Sequence, residues 1–300
     1  MNVLWDKRVK LLMCFVAGIL CMTLAIPIRA EMALAQTPQL LRTQNLNEFS
    51  LSPNAAPIIP SSLGRSLNPS VGNRSVIDED NRVQMTNRSY PWSAIGWIIG
   101  TTAQGENYIC TGTLITPDVV LTNAHCVVDI QTNELSQHIT FEPNLINGWV
   151  RDDADVANVI KVLPGSDFGD FSQLPYPDDW ALIKLDKPLG ETYGTIAWTP
   201  VPIDILVGNP EHFALVGYSS DVDNGNTASV HMGCSILSEQ KGVFHHNCDM
   251  QTGSSGEPIL GQINGEIRIV AVNSAEEFER QTGKGIVNFA TRIQQIIARL

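Results

Sequence analysis

Three short runs hold residue types that could do chemistry together. CTGTLITPDVVLTNAHC, from Cys110 to Cys126, ends beside His125; PDDWALIKLD places Asp179 before an apolar run; QTGSSGEP, from Gln251 to Pro258, sets two serines between glycines. By composition the last is a surface loop. A serine hydroxyl is inert until a base takes its proton and donors stabilise the oxyanion that forms. The other two runs offer what it lacks. A bridge between Cys110 and Cys126 would pin the segment carrying His125 and give a base its fixed orientation. A carboxylate at the mouth of a buried strand, as Asp179 would be, accepts an Nδ1–H bond, sets the tautomer and stabilises the imidazolium. Glycines beside a serine let the chain turn so that successive N–H groups converge on one point. The other histidines (His138, His212, His231, His245 and His246) have no such setting, and Asp178 reads as a turn aspartate at a strand end.

The text around these runs reads as short strands. AIGWIIG, YICTGTLI, VVLTNA, NVIKVL, WALIKL, FALVGY and IRIVAVNS are β-rich and separated by Gly, Pro, Asn and Asp. Many short strands with turn signals predict an all-β sandwich or barrel. TRIQQIIARL, from Thr291, alone shows the apolar spacing of an amphipathic helix. PLGETYGTIAWTPVP, from Pro188 to Pro202, breaks the strand pattern and marks a seam. Repeats at solenoid or propeller periods are absent.

The start of the chain is different in kind. Lys7, Arg8 and Lys10 precede an apolar run from Leu11 to about Ile26, and Ala33-Leu34-Ala35 offers a cleavage site before Gln36. This predicts a secretory signal peptide over 1–35 rather than a membrane anchor. Residues 36–75 are polar and Pro-rich with no sustained period, as expected of a linker or pro-segment. Export, to the medium or the periplasm, agrees with cysteine usage: Cys14 and Cys21 leave with the signal, and Cys110, Cys126, Cys234 and Cys248 can pair in three ways. No CxxC spacing points to zinc. The 300-residue chain carries a net charge of −12, and beyond residue 75 it has 12 Lys and Arg against 28 Asp and Glu. Such a surface argues against nucleic acid or an anionic membrane as a partner.

The three runs occur in the order histidine, aspartate, serine. α/β-Hydrolases run Ser, Asp, His and subtilisins Asp, His, Ser, and Gly253-Ser254-Ser255-Gly256-Glu257 lacks the second glycine of a nucleophile elbow. TNAHC, DWALIKL and GSSGEP resemble the histidine, aspartate and serine motifs of trypsin/chymotrypsin-fold serine proteases, and VNFATRI resembles that family's closing strand. The likeness covers Val76 to Leu300. Within that fold, SVIDEDNRVQMTNRSYPWSAI is similar to the mature N-terminus of bacterial secreted glutamyl endopeptidases, the V8-like branch. The resemblance implies two six-stranded antiparallel β-barrels and a C-terminal α-helix: a protease domain over 76–300, with barrels over about 76–190 and 191–290 and the helix over 291–300. It implies His125 as general base, Asp179 as its orienter and Ser255 as nucleophile, with the N–H groups of Gly253 and Ser255 as oxyanion donors. It also implies disulfides Cys110–Cys126 and Cys234–Cys248, and processing after Arg74 or Ser75, so that Ser75 or Val76 opens the mature chain. The implied activity is hydrolysis of protein or peptide substrates by a monomer that needs no metal or organic cofactor, although some relatives bind structural calcium.

Departures from the pattern bear on specificity. V8-like enzymes read an acidic P1 side chain with a Ser/Thr five residues before the nucleophile, a histidine on a later strand and the free N-terminal amine. Here Met250 and Asn273 stand at the first two positions. A methionine cannot donate to a carboxylate, and a buried carboxylate would be poorly compensated. Asp249, six residues before Ser255, stands where trypsin keeps its Lys/Arg-reading aspartate, so a cationic P1 group is the competing expectation. Ser254 replaces the aspartate that, in mammalian digestive relatives, pairs with the new N-terminal amine. Glu257 replaces a Gly or Ser and is expected to point to solvent. A reading from another class, a catalytically inactive protease-fold binding protein, stands against the complete His125, Asp179 and Ser255 set.

Overall fold

The structure is a computed structural model that describes residues 37–41, 47–49, 51–52, 55–70, 80–166, 168, 176–278 and 285–300. The expected signal peptide and the processing positions Arg74, Ser75 and Val76 lie outside the described residues. β1 (Gln39–Leu40) and β2 (Arg82–Gln84) precede a first set of strands: β3 (Ile95–Thr101), β4 (Asn107–Leu114), β5 (Val119–Thr122), β6 (Gln137–Pro143), β7 (Ala157–Pro164) and β8 (Ala181–Leu185). The chain then crosses through α1 (Gly190–Tyr193), β9 (Ala197–Trp198) and α2 (Ile203–Val207). A second set follows: β10 (Phe213–Gly217), β11 (Ser229–Cys234), β12 (Ile236–Gln240), β13 (Val243–His246), β14 (Pro258–Ile263), β15 (Glu266–Phe278) and β16 (Gly285–Arg292), ending in α3 (Ile293–Arg299). The seven β-rich runs read from the sequence fall on β3, β4, β5, β7, β8, β10 and β15.

The first set pairs antiparallel in the order β7-β6-β3-β4-β5-β8, and β8 pairs back onto β7. That closure makes a six-stranded barrel. Ile95, Ile98, Leu114, Val120, Phe141, Val162 and Ile183 have no exposed surface and fill its core. The second set differs in how it closes. Its order is β12-β13-β16-β15-β14-β10-β11, extended by β2 on β11 and by β9 on β15. No ladder joins β11 to β12 among the described residues; Ser235 alone separates them in the chain and carries the backbone from one end of the sheet to the other.

Residues 36–75 read as irregular text, yet their described parts are built into the fold. β1 adds a parallel strand to β7, and the Leu41 N–H continues the pairing to the Val162 carbonyl at 2.7 Å. Phe49 is fully buried, and Lys184 Nζ donates to the Glu48 carbonyl at 3.0 Å. Ile58 and Thr195 bond in both directions, the Tyr90 N–H donates to Gly64, and the Thr86 and Asn87 N–H groups both donate to Pro69. Isolated apolar residues set into a polar segment give no periodic signal, but each fills a hole in a surface formed elsewhere. No helix of the described residues is long and apolar enough to cross a membrane.

Candidate active site

The strand β5 ends in a one-turn 3-10 helix, Ala124–Cys126, that carries His125. Cys126 is bonded to Cys110 of β4, so this turn cannot move independently of the barrel wall. Asp179 stands just before β8 and is 5% exposed. Its Oδ1 accepts the His125 backbone N–H at 3.1 Å and its Oδ2 lies 2.8 Å from His125 Nδ1. The Asp179 carbonyl accepts Asn123 Nδ2–H at 2.7 Å from the first barrel and Thr291 Oγ1–H at 3.2 Å from β16. Asp178, next to it, accepts from Gln295 and Arg299 of α3, so the C-terminal helix also braces this turn. Burial alone would lower the His125 pKa, but the charge of Asp179 and its hydrogen bond outweigh that and raise it above the ordinary 6.5.

Ser255 reaches the same point from the turn before β14. Its Oγ lies 2.6 Å from His125 Nε2, on the ring edge opposite Asp179. The histidine side chain keeps 22% of its surface exposed, so the pair faces solvent. The turn is fixed by bonds to the barrel and to the second sheet: the Ser255 carbonyl accepts the Thr111 N–H of β4 at 2.8 Å, and the Gly256 N–H donates to Asn273 of β15 at 3.0 Å. Gly256 has φ +84, and a Cβ there would lie 2.0 Å from the Thr111 carbonyl oxygen. Only glycine tolerates that approach. At Gly253, φ +99, the chain turns so that its own N–H and that of Ser255 have no acceptor among the described residues. Cys234 and Cys248 form the second disulfide, between the end of β11 and the segment leading to this turn.

Position, order and geometry agree with what the family comparison returns. The trypsin family model, described as Trypsin, matches residues 83–299. The chain belongs to the trypsin family. A glutamyl endopeptidase of Bacillus licheniformis is 29% identical over 191 residues, 63% of this chain and 55% of that protein. Serine protease 23 of Bos taurus is 30% identical over 166 residues, 50% of this chain and 43% of that protein. The chain thus spans about half the length of the curated relatives it matches. Among solved structures, a Glu endopeptidase in complex with MPD has a TM-score of 0.58 at 24% identity, covering 75% of this chain and 98% of that one. A thermostable serine protease, AL20, has a TM-score of 0.55 at 16% identity, covering 69% and 95%. At those identities the two structures speak for the trypsin fold alone.

Beside the serine turn of this trypsin-family chain opens a cleft of about 730 Å³. Asp249 and Met250 line it, together with Asp80, Arg82, Asp221, His246 and Glu276. Asn273 does not: it is fully buried, its Nδ2–H donating to the Ser254 carbonyl at 2.9 Å and its Oδ1 3.0 Å from His246 Nε2. The Cys248 N–H donates to His246 Nδ1 at 3.3 Å, so Nε2 carries the proton and donates to Asn273. Burial pushes the His246 pKa down to about 4, which keeps the ring neutral. Asp249 is partly engaged already: its Oδ2 accepts the Asn81 N–H at 2.9 Å and Nδ2–H at 3.1 Å. Arg82 is 7% exposed and is held by Asp80, Asp221 and the Ser219 hydroxyl.

Besides Asn273, two residues were misread or missed from sequence. Glu257, expected in solvent, is 3% exposed and packs inside the second sheet, against the bare face of Gly217 and beside Thr111. His246 reaches the cleft wall although its run, VFHHNCD, carries no motif; its closeness to Cys248 was the available signal. The one cluster of metal-type side chains among the described residues is Cys110, His125 and Cys126, and its sulfurs are joined in the disulfide, so they offer no thiolate.

Proposed function

We propose that the protein is an exported serine endopeptidase working through an acyl-enzyme on Ser255. The reading is carried by the continuous path from Ser255 Oγ through His125, 2.6 Å on one side and 2.8 Å on the other, to Asp179. His125 takes the Ser255 proton as the hydroxyl attacks the peptide carbonyl, then delivers it to the leaving amine. Asp179 holds the ring by one oxygen and its own position by the other. The Gly253 and Ser255 N–H groups stabilise the oxyanion. Two disulfides in a chain of this kind fit an oxidising compartment. A fluorophosphonate should label Ser255 covalently, and Ser255→Ala should fold and neither label nor hydrolyse. A folded protein that does not label would favour the binding-protein alternative.

The cleft supports a preference for Lys or Arg at P1 over Glu. Among the described residues that line it, four carboxylates stand against one guanidinium, and that guanidinium already pairs with two of them. Met250 offers no donor, and both ring nitrogens of His246 are engaged. Opposite charges about 4 Å apart gain on the order of 4 kcal/mol at the screening of a protein surface, and like charges lose as much. After desolvation at least a tenfold advantage in kcat/KM is expected for Arg or Lys over Glu. Peptide-library profiling reads this directly, and cleavage mainly after Glu would overturn it.

A further inference from the structure

Asp249 is held in the cleft from three sides, and the hold uses up one of its two carboxylate oxygens. Cys248, before it, is bonded to Cys234, and the Cys248 carbonyl accepts Asn288 Nδ2–H at 2.7 Å. The Asp249 N–H donates to His231 Nδ1 at 2.7 Å. His231 of β11 is the register partner of Arg82 at the start of β2, so the ladder that seats His231 under Asp249 also brings Asn81 beside it. Arg82 is anchored by Asp80 and Asp221, which fixes the neighbour of Asn81. The Asn81 N–H and Nδ2–H then both donate to Asp249 Oδ2, at 2.9 and 3.1 Å. A carboxylate oxygen has two lone pairs, so Oδ2 is full. His231 Nδ1 lies 3.2 Å from the same oxygen. Burial lowers the His231 pKa below the ordinary 6.5, and the neutral ring, accepting the Asp249 N–H at Nδ1, has no proton there to give. Oδ1 receives no donor among the described residues.

We infer that Asn81 makes the cleft select lysine over arginine at P1, by filling Asp249 Oδ2 and leaving Oδ1 as the one oxygen open to a substrate cation. This rests on the preference for Lys or Arg over Glu proposed above. A guanidinium earns its advantage over an ammonium by setting two parallel N–H groups on the two oxygens of one carboxylate. Here the second N–H would meet an oxygen that already carries two donors. A lysine ammonium is a point charge with three rotatable donors, so it needs only Oδ1. The other carboxylates of the cleft do not restore the fork. Asp80 and Asp221 are paired with Arg82, and Glu276 is exposed on β15, where solvent screens it. Asn81 is not among the residues that line the cleft, so it is a positioning residue that acts through Asp249.

The test measures kcat/KM on peptide amides that differ only at P1, with Lys, Arg or Glu there, for wild type, Asn81→Ala, Asp249→Ala and the double variant. Wild type is expected to favour Lys over Arg by about threefold or more. Asn81→Ala frees a lone pair on Oδ2 for the second guanidinium N–H, and one charge-assisted hydrogen bond corresponds to about tenfold in affinity. The Lys-to-Arg ratio should therefore move about tenfold toward Arg. That ratio is independent of how much of a preparation is folded, which a purely structural effect of the substitution would change. With Asp249 replaced by Ala, the Asn81 change should leave the ratio where it was. Wild type that cleaves after Arg as well as after Lys, a shift under threefold in Asn81→Ala, or the same shift in the absence of the Asp249 carboxylate would each overturn the inference while leaving the cationic P1 preference standing. Wild type that cleaves best after Glu would instead overturn that preference itself.

Discussion

Asp179→Asn changes one atom and should nearly abolish turnover, for a reason that lies in the hydrogen bonds. Asp179 receives two donors, the His125 backbone N–H on Oδ1 at 3.1 Å and the ring Nδ1–H on Oδ2 at 2.8 Å. An asparagine has one acceptor and one donor face. The backbone N–H cannot change sign, so the amide oxygen must take its place there and the NH₂ must face the ring. Nδ1 then becomes the acceptor and the proton moves to Nε2, pointed at Ser255 Oγ. A ring in that tautomer cannot accept the serine proton. The wrong tautomer in a triad costs about 10⁴ in kcat, roughly 5 kcal/mol of transition-state stabilisation. Active-site titration, kcat on a peptide amide and thermal melting of the same preparation separate chemistry from folding. A folded Asp179→Asn protein within tenfold of wild-type kcat would refute the reasoning.

Further expectations follow from particular contacts. Because Asp179 raises the His125 pKa, activity should rise with pH through a midpoint above 6.5, since only the neutral ring accepts a proton; an acid limb below 6.5 would contradict this. The stability linked to His125 runs oppositely, complete below pH 6.5 and lost as pH climbs through the raised value. His246 has the reverse sign: its folded pKa of about 4 lies below 6.5, so its contribution is present above pH 6.5 and lost as pH falls through about 4. That loss amounts to about 3 kcal/mol, and urea unfolding of Ser255→Ala protein should show an acid slope that a further His246→Gln change flattens. The segment before residue 75 should stay bound if the chain is cut after Arg74, because Phe49 is fully buried and β1 pairs with β7. Co-elution of both pieces in native buffer tests this, and Phe49→Ala should cost about 3 to 5 kcal/mol.

What the sequence made legible depended on whether the signal was local. β5 and β8, VVLT and ALIKL, are dense in Val, Ile and Leu because nearly every residue in them is buried, and they stand out without context. β12 and β13, ILSEQ and VFHH, border the cleft or solvent and mix polar residues, so their pattern is diluted. The meeting of His125, Asp179 and Ser255 was legible because each position carries its own local requirement: a pinned turn for His125, a strand mouth for Asp179, glycines around Ser255. Glu257 was not, since nothing within a few residues of it announces burial. Its enclosure comes from Gly217 and Thr111, which the fold brings from two other strands. Asn273 was likewise read as a cleft residue when its amide instead ties His246 to the Ser254 carbonyl.

The segment after β10 links the cleft to the Gln251–Ser255 turn. Ser219 and Asp221 hold Arg82 at the cleft wall, the Ser220 N–H donates to the Thr252 carbonyl at 2.8 Å, and the Tyr218 carbonyl oxygen would lie 3.2 Å from a Cβ on Gly253. A change at the cleft wall therefore reaches that turn. Arg82→Met removes the only cation among the described residues that line the cleft and leaves Asp80 and Asp221 facing each other without it. If Arg82 served P1 charge alone, the variant would alter the ratio of kcat/KM between Arg and Glu substrates and leave kcat for a neutral P1 unchanged. Because the Ser219–Asp221 segment also braces Thr252, kcat should fall for every P1 group. An unchanged kcat with a neutral P1 residue would show that the cleft wall and the Gln251–Ser255 turn act independently.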